Sequence, residues 1–257
     1  MQLDNSTVIV TGAASGLGEA TARFLAESEK CHVVLLDLVE QRGSEIAAEL
    51  AGHFVRADIT DPADVIRAID TVVEIAPLRG LVNCAGGGTS ARTVGKDTSY
   101  GSAHNLDSFT RTVTLNLIGT FNMIRIGASA MARNEPGPDG DRGAIVNTAS
   151  VAAFDGQIGQ AAYAAGKAGI VGMTLPIARD LSDRGVRVNT IAPGIFETPP
   201  MLAVPDAVLT SLGSSVPFPK RLGRPPEFAS LARELLTNSY INGETVRLDG
   251  AIRMQPR

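Results

Sequence analysis

Of the three tyrosines in this 257-residue sequence, only Tyr163 is followed four residues later by a lysine, Lys167. Positions i and i+4 share one face of a helix, so the spacing sets a phenol beside an ammonium. A phenol is a poor base at neutral pH because its ordinary pKa is about 10, and a fixed cation nearby favours the phenolate and brings that value down. The chemistry expected of the pair is proton exchange with an alcohol or a ketone. The chain holds only four lysines, and an incidental pair on a solvated helix would leave the small neighbours Ala161, Ala162, Ala164, Ala165 and Gly166 unexplained. Ser150 lies thirteen residues before Tyr163, at the end of the run Asn147-Thr148-Ala149-Ser150. A hydroxyl there is suited to hold a substrate oxygen and to stabilise charge developing on it. Asn116 sits inside the apolar pattern Leu115-Asn116-Leu117-Ile118. A buried amide needs partners, so it either braces the core or holds a water leading from Lys167 to solvent.

A second constellation lies near the start. A β-branched run ending at Thr11 leads into Gly12-Ala13-Ala14-Ser15-Gly16-Leu17-Gly18 and then into a helical pattern. Strand, glycine-rich turn and helix form the context that binds a pyrophosphate: Gly12 permits the turn, Gly16 lets the anion approach, and Gly18 lets the helix pack on the strand. The helix N-terminus supplies free N–H groups and a favourable dipole. The spacing Gly-x-x-x-Gly-x-Gly departs from the commoner Gly-x-Gly-x-x-Gly form. Asp37 stands 19 residues past Gly18 at the end of the next β-like run, where a carboxylate accepts bonds from adenosine ribose hydroxyls and repels a 2′-phosphate. NAD is therefore expected over NADP, although Arg42 is near, and capping of a turn is the plain alternative for Asp37. Asp58 and Ile59 follow the third such run, close to where an adenine would lie; starting the next helix explains Asp58 almost as well.

The elements that must position these residues follow from periodicity. Apolar runs at Thr7 to Thr11, His32 to Asp37, His53 to Ala57, Gly80 to Asn83, Gly143 to Thr148, Val186 to Ile191 and Glu244 to Leu248 predict seven strands. Helical patterns fall between them, at Gly16 to Glu29, Gln41 to Ala51, Asp61 to Ala76, Leu106 to Arg133, Gln160 to Ser182 and Pro225 to Thr237. Asp61-Pro62 and Arg224-Pro225 mark helix starts. The alternation predicts a single α/β domain, a Rossmann-like doubly wound fold on a parallel sheet. Two segments stand apart. Residues 86–105 form a polar loop, and 193–226 holds eight of the fourteen prolines, interleaved with Met201, Leu202, Val204, Leu209 and Phe218. The latter reads as a partly ordered flap over about 194–224, covering either a substrate or the core.

Composition narrows the function classes. At 44% hydrophobic and 19% charged, the chain suits a packed globular core. A net charge of −4 with scattered arginines gives no electrostatic reason to expect nucleic acid. No apolar run reaches the roughly 18 residues of a membrane span, and the start Met1-Gln2-Leu3-Asp4 lacks an Arg-rich transit pattern, so a cytoplasmic location is expected. Cys31 and Cys84 lie in apolar runs and read as small buried side chains in a reducing compartment. No spacing of ligand residues points to a metal.

Taken together, the Thr11 to Gly18 turn, Asp37, Asn83-Cys84-Ala85-Gly86, Asn116, Ser150, Tyr163, Lys167 and Pro193-Gly194 resemble the short-chain dehydrogenase/reductase family over nearly the whole chain. The resemblance implies that Tyr163 is the acid/base and that Lys167 is both its pKa modifier and a nicotinamide-ribose ligand. It further implies that Ser150 binds the substrate oxygen, that Asn116 relays protons, that Asn83, Ala85 and Gly86 line the cofactor cleft, and that Pro193 and Gly194 stand beside the nicotinamide. Longer blocks, Asn134-Glu135-Pro136, Asn147 to Leu181 and Leu248 to Met254, resemble the branch of that family that oxidises 3-hydroxyacyl-CoA thioesters with NAD and tolerates other secondary alcohols, steroids included. Within that branch Gln160 would flank the substrate oxygen, the flap would cover the acyl or steroid body, and the assembly would be a homotetramer. Rival expectations are a 3-oxoacyl-carrier-protein reductase, against which Asp37 weighs, or a steroid or general secondary-alcohol dehydrogenase of the same family, and a catalytically silent dinucleotide-binding scaffold.

Overall fold

A computed structural model describes residues 1–256. Seven strands build one parallel sheet: β1 (Thr7–Thr11), β2 (His32–Asp37), β3 (His53–Arg56), β4 (Leu78–Asn83), β5 (Gly143–Thr148), β6 (Val186–Pro193) and β7 (Thr245–Leu248). Their spatial order is β3-β2-β1-β4-β5-β6-β7, so the direction of winding reverses between β1 and β4. The expected doubly wound α/β architecture is what the chain adopts. β1, β5 and β6 are buried throughout and their side chains divide by parity between two layers. Ile9, Ile145 and Val188 face the layer built with α3 (Pro62–Val73) and α5 (Gly119–Met131), where Val65, Ile69, Met123 and Ile124 pack. Val8, Val10, Val146 and Ile191 face the opposite layer, with Leu25 of α1 (Gly16–Ser28), Ile46 of α2 (Glu40–Glu49) and Phe228 and Leu235 of α9 (Pro225–Thr237).

Several boundaries differ from expectation. β4 begins two residues earlier and β6 runs on to Pro193, because both lie between paired neighbours that extend the ladder. The expected helix from Leu106 to Arg133 is α4 (Leu106–Val113) and α5 joined by a π-helical turn, Thr114–Ile118. The proline-rich flap is more ordered than its composition implies. Two short helices, α7 (Pro199–Leu202) and α8 (Asp206–Ser215), lie within it, and its ends are tied where Phe196 bridges Gly223. Both expected proline starts hold. The Asp61 carboxylate accepts from the N–H groups of Ala63 and Asp64, and Glu227 accepts from the N–H of Arg224. Among the described residues no helix is long and apolar enough to cross a membrane.

The far end of the sheet depends on one buried cation. Arg187 of β6 is 6% exposed, and its guanidinium donates to the carbonyls of Leu235 (2.8 Å), Leu236 (2.6 Å) and Ile241 (2.9 Å). Those are among the last carbonyls of α9 and the turn after it, which have no partners within the helix and carry the negative end of its dipole. Burial pulls the guanidinium below its ordinary pKa, yet no carboxylate pairs with it among the described residues. Replacing Arg187 with Met should therefore strand several buried carbonyls and cost about 3 kcal/mol in urea unfolding; a loss under about 0.5 kcal/mol would show that water satisfies them equally well.

Candidate active site

The loops after β1, β4, β5 and β6 converge at the carboxyl edge of the sheet, where the winding reverses, and enclose a cleft of about 730 Å³. Open α/β sheets place their ligands at such a point. At one end of the cleft lies the glycine turn. Gly12 adopts φ +64°, and a Cβ at Gly18 would stand 2.2 Å from the Gly12 carbonyl oxygen, so the turn closes on itself only without side chains at these positions. Ser15 caps α1 through extended backbone and makes no side-chain cap bond, which leaves the first N–H groups of the helix without a protein acceptor. Ser15, Gly16, Leu17 and Gly18 all line the cleft.

Asp37 takes the turn-capping role that was the plain alternative for it, and does so at the edge of the cleft. It lines the cleft, and its two oxygens accept from the N–H groups of Ala14 and Val39, each at 3.0 Å. The carboxylate thus ties the glycine turn to the end of β2, and each oxygen keeps further acceptor capacity at the edge of the cavity. Asp58 also lines the cleft while organising the start of α3, accepting from the N–H and hydroxyl of Thr60. Ile59, Ala85, Gly86, Pro193 and Gly194 line it too. Asn83 does not. It points away from the cavity into the layer beneath the sheet edge, where its Nδ2 donates to Asn147 Oδ1 at 2.9 Å, because alternation along β4 puts residue 83 on the same side as Leu81.

The reacting end is set by β5 and α6 (Ala161–Asp180). Lys167 is 3% exposed and its ammonium donates to the Thr148 carbonyl at 2.7 Å. Its Nζ stands 5.7 Å from the centre of the Tyr163 ring. Ser150 starts a short 3₁₀ turn, with its Oγ accepting from the Ala152 N–H at 3.1 Å, and faces the same cavity as Tyr163. Gln160 lines the cavity with its Oε1 turned back to the Gln157 N–H. The small residues of α6 now have a reason: a Cβ at Gly166 would lie 3.0 Å from that of Asn116, so the helix packs directly on the π-helical turn. Of the two readings open for Asn116, bracing is visible. Its Nδ2 donates to the carbonyls of Gly87 and Thr112 and its Oδ1 accepts from the Gly87 N–H.

Electrostatics correct one expectation. Burial pushes the Tyr163 phenol above its ordinary value, opposed by hydrogen bonding from Ser150, and the Lys167 cation does not reverse this. Burial brings Lys167 itself down to about 8, so it stays mostly charged at neutral pH. The cysteines are also less enclosed than expected. Both are partly buried free thiols, Cys84 lines the cleft, and burial pushes each up to about 11.

Some lining residues had no motif to announce them. Gln157, Phe196, Leu212 and Met254 reach the cavity from loops and from the flap, as does Met201, which the sequence placed in the flap. The π-helical turn likewise leaves no trace in an otherwise regular apolar pattern.

Comparison with known proteins was consistent across sequence and structure. The family model for short chain dehydrogenase matches residues 6–206. A 3-hydroxyacyl-CoA dehydrogenase type-2 of Drosophila melanogaster is 51% identical over 99% of this chain and 100% of its own length. One of Homo sapiens is 49% identical over 96% of this chain and 95% of its own. The crystal structure of 3-hydroxyacyl-CoA dehydrogenase type-2 from Mycobacterium avium superposes with a TM-score of 0.95 at 46% identity, covering 98% of both chains.

The depressed Lys167 makes a signed prediction. Between pH 8 and 10.5 the unfolded chain holds a proton on this residue that the folded chain has released, so stability relative to Lys167→Met should rise across that window, by about 3 kcal/mol, and stay level below it. Chemical unfolding of both proteins from pH 7 to 10.5 reads the difference; a falling or flat curve would mean that the ammonium is not desolvated.

Proposed function

Because the chain belongs to the short chain dehydrogenase family, we propose that it is an NAD-dependent oxidoreductase interconverting a 3-hydroxyacyl-CoA and its 3-oxo form. The observation that carries this reading is the meeting of Ser150, Tyr163 and Lys167 at one end of a cleft whose other end is the glycine turn with Asp37. The relatives' names supply the substrate class.

The cleft fits a dinucleotide. The turn has side-chain-free positions and unpaired helix N–H groups for a pyrophosphate, Asp37 suits a ribose diol, and Lys167 and the Pro193-Gly194 edge lie where the nicotinamide half would be held. Bound nicotinamide supplies the hydride acceptor or donor. The chain supplies the proton chemistry. Ser150 and Tyr163 hold the substrate oxygen between two hydroxyls, and Gln160 flanks it. In reduction the neutral phenol, which burial favours, gives its proton to that oxygen. In oxidation the phenolate must receive one, so the oxidative rate rises with pH through the alkaline range while the reductive rate is level at neutral pH. Lys167, charged and fixed by Thr148, stabilises the phenolate as it forms, and Asn116 beside it is the candidate for passing protons outward. The whole chain works as one catalytic domain with the flap covering the acyl body. Half-exposed Ile118, Phe121 and Leu175 and the uncovered Gly172 support a homotetramer built on α5 and α6.

Tyr163→Phe should lower turnover of acetoacetyl-CoA with NADH by about a thousandfold or more, while NADH titration and a tetrameric mass by light scattering match the parent. Near-normal turnover would sink the acid/base assignment, and a monomeric mass for the parent would sink the assembly. Asp37→Ala should raise the KM for NAD about tenfold and improve use of NADP; an unchanged ratio of kcat/KM for the two cofactors would remove the ribose role.

A further inference from the structure

A second, shallower groove of about 460 Å³ opens beside the main cleft and shares Gln157 and Gln160 with it. Ser90, Ala91, Arg92, Ile158, Gly159 and Pro256 complete its lining. Three distant stretches of chain are pinned together to form it. The Ala91 N–H donates to the Gly159 carbonyl (2.9 Å), the Ile158 N–H to the Pro256 carbonyl (3.0 Å), and Gln157 Nε2 to the Gln255 carbonyl (2.9 Å). Gly159 turns at φ +90°, a conformation that a side chain would strain. The groove is therefore a built continuation of the reaction cleft, walled by backbone and amide groups.

Its charge differs from that of the main cleft and of the small cavity under the flap. Lys167 in the main cleft is committed to the Thr148 carbonyl, and Arg221 in a small cavity under the flap is committed to Glu227 at 2.6 and 2.9 Å. Among the described residues exposed Arg92 makes no hydrogen bond or ion pair, and no carboxylate lines its groove. Amide-lined space that begins at the reacting centre and carries one uncommitted guanidinium suits an extended arm with amides of its own and a phosphate beyond them. We infer that this groove receives the pantetheine arm of the CoA thioester and that Arg92 contacts the phosphates that follow the arm in CoA. This rests on the acyl-CoA reading above and names the subsite that would distinguish CoA from a bare thioester.

The test compares the parent with Arg92→Gln and Arg92→Lys, using the acetoacetyl group carried on CoA, on pantetheine, on N-acetylcysteamine and on acyl-carrier protein, with NADH. The parent should use the CoA thioester better than the pantetheine one. Arg92→Gln should raise the KM for the CoA thioester about tenfold with little change in kcat, leave the pantetheine and N-acetylcysteamine thioesters unaffected, and be partly restored in Arg92→Lys. Equal losses on all carriers, or none, would overturn the proposal, as would a carrier-protein thioester used better than the CoA one. Calorimetry of free CoA with the NAD-loaded protein gives a second readout independent of turnover. Binding weakened by Arg92→Gln supports the groove, and equal or absent binding in both proteins overturns it. Absence of turnover on any CoA thioester by the parent would instead remove the acyl-CoA reading itself.

Discussion

The buried ammonium of Lys167 and the carbonyl of Thr148 make the bond on which the reacting end depends. It joins a helix to the end of a strand with a charge that would be costly to bury unpaired. The candidate catalytic residues are then placed by short chain distances: Ser150 lies two residues beyond the acceptor, and Tyr163 one helical turn before the donor. Shifting α6 by a residue would break the Lys167–Thr148 bond and move Tyr163 away from Ser150 in the same step. The same cation carries a second burden, since its own desolvation limits how far it favours the phenolate. The site therefore holds a protonated phenol by default and leaves ionisation to the reaction.

Below that bond the sheet changes character. By register, Thr11, Asn83, Asn147 and Thr190 are neighbours across β1, β4, β5 and β6, so the apolar interior ends in a polar row just under the cleft. Thr11 Oγ1 accepts from the N–H groups of Cys84 and Ala85 and fixes the turn after β4. Asn83 and Asn147 bond to each other, and Thr174 of α6 shares a 2.6 Å hydroxyl contact with Thr190. The row thus ties the strand ends to one another and α6 to the sheet. Asn83 belongs to this scaffold, which explains how a residue inside a functional motif serves the cleft without reaching it.

The parts of this arrangement legible from sequence were those with a local signature. Strand runs, proline helix starts and the glycine turn are written in consecutive residues, and the i, i+4 spacing of Tyr163 and Lys167 survives into the structure as one helix face. What was not legible depends on contacts distant in sequence. The π-helical turn is imposed where Asn116 must meet both Gly87 and α6, and Met254 enters the cavity only because the tail is pinned to the loop before α6. The position of Asn83 does not follow from its motif for a related reason: strand parity, not motif membership, decides which side a residue faces. Tyr163 shows that proximity to a cation does not fix a pKa when both groups are desolvated.

The flap ends where it began. Phe196 and Gly223 bridge, Glu197 donates to the Gly223 carbonyl and Gly223 to that of Ile195, so residues 197–222 leave and rejoin the body at one clasp, with a further tie from the Phe218 N–H to the Gly250 carbonyl. A Cβ at Gly223 would collide with the Phe196 ring at 2.7 Å, which makes that glycine the keeper of the clasp. The closure entropy of such a loop grows only slowly with its length. The length of the enclosed stretch is therefore a weak determinant of the cost of closing it, and the clasp is what sets where it leaves and returns. Along this part of the cleft rim, the shape of the cavity wall is thus carried by a segment hung from the frame and not by the frame itself.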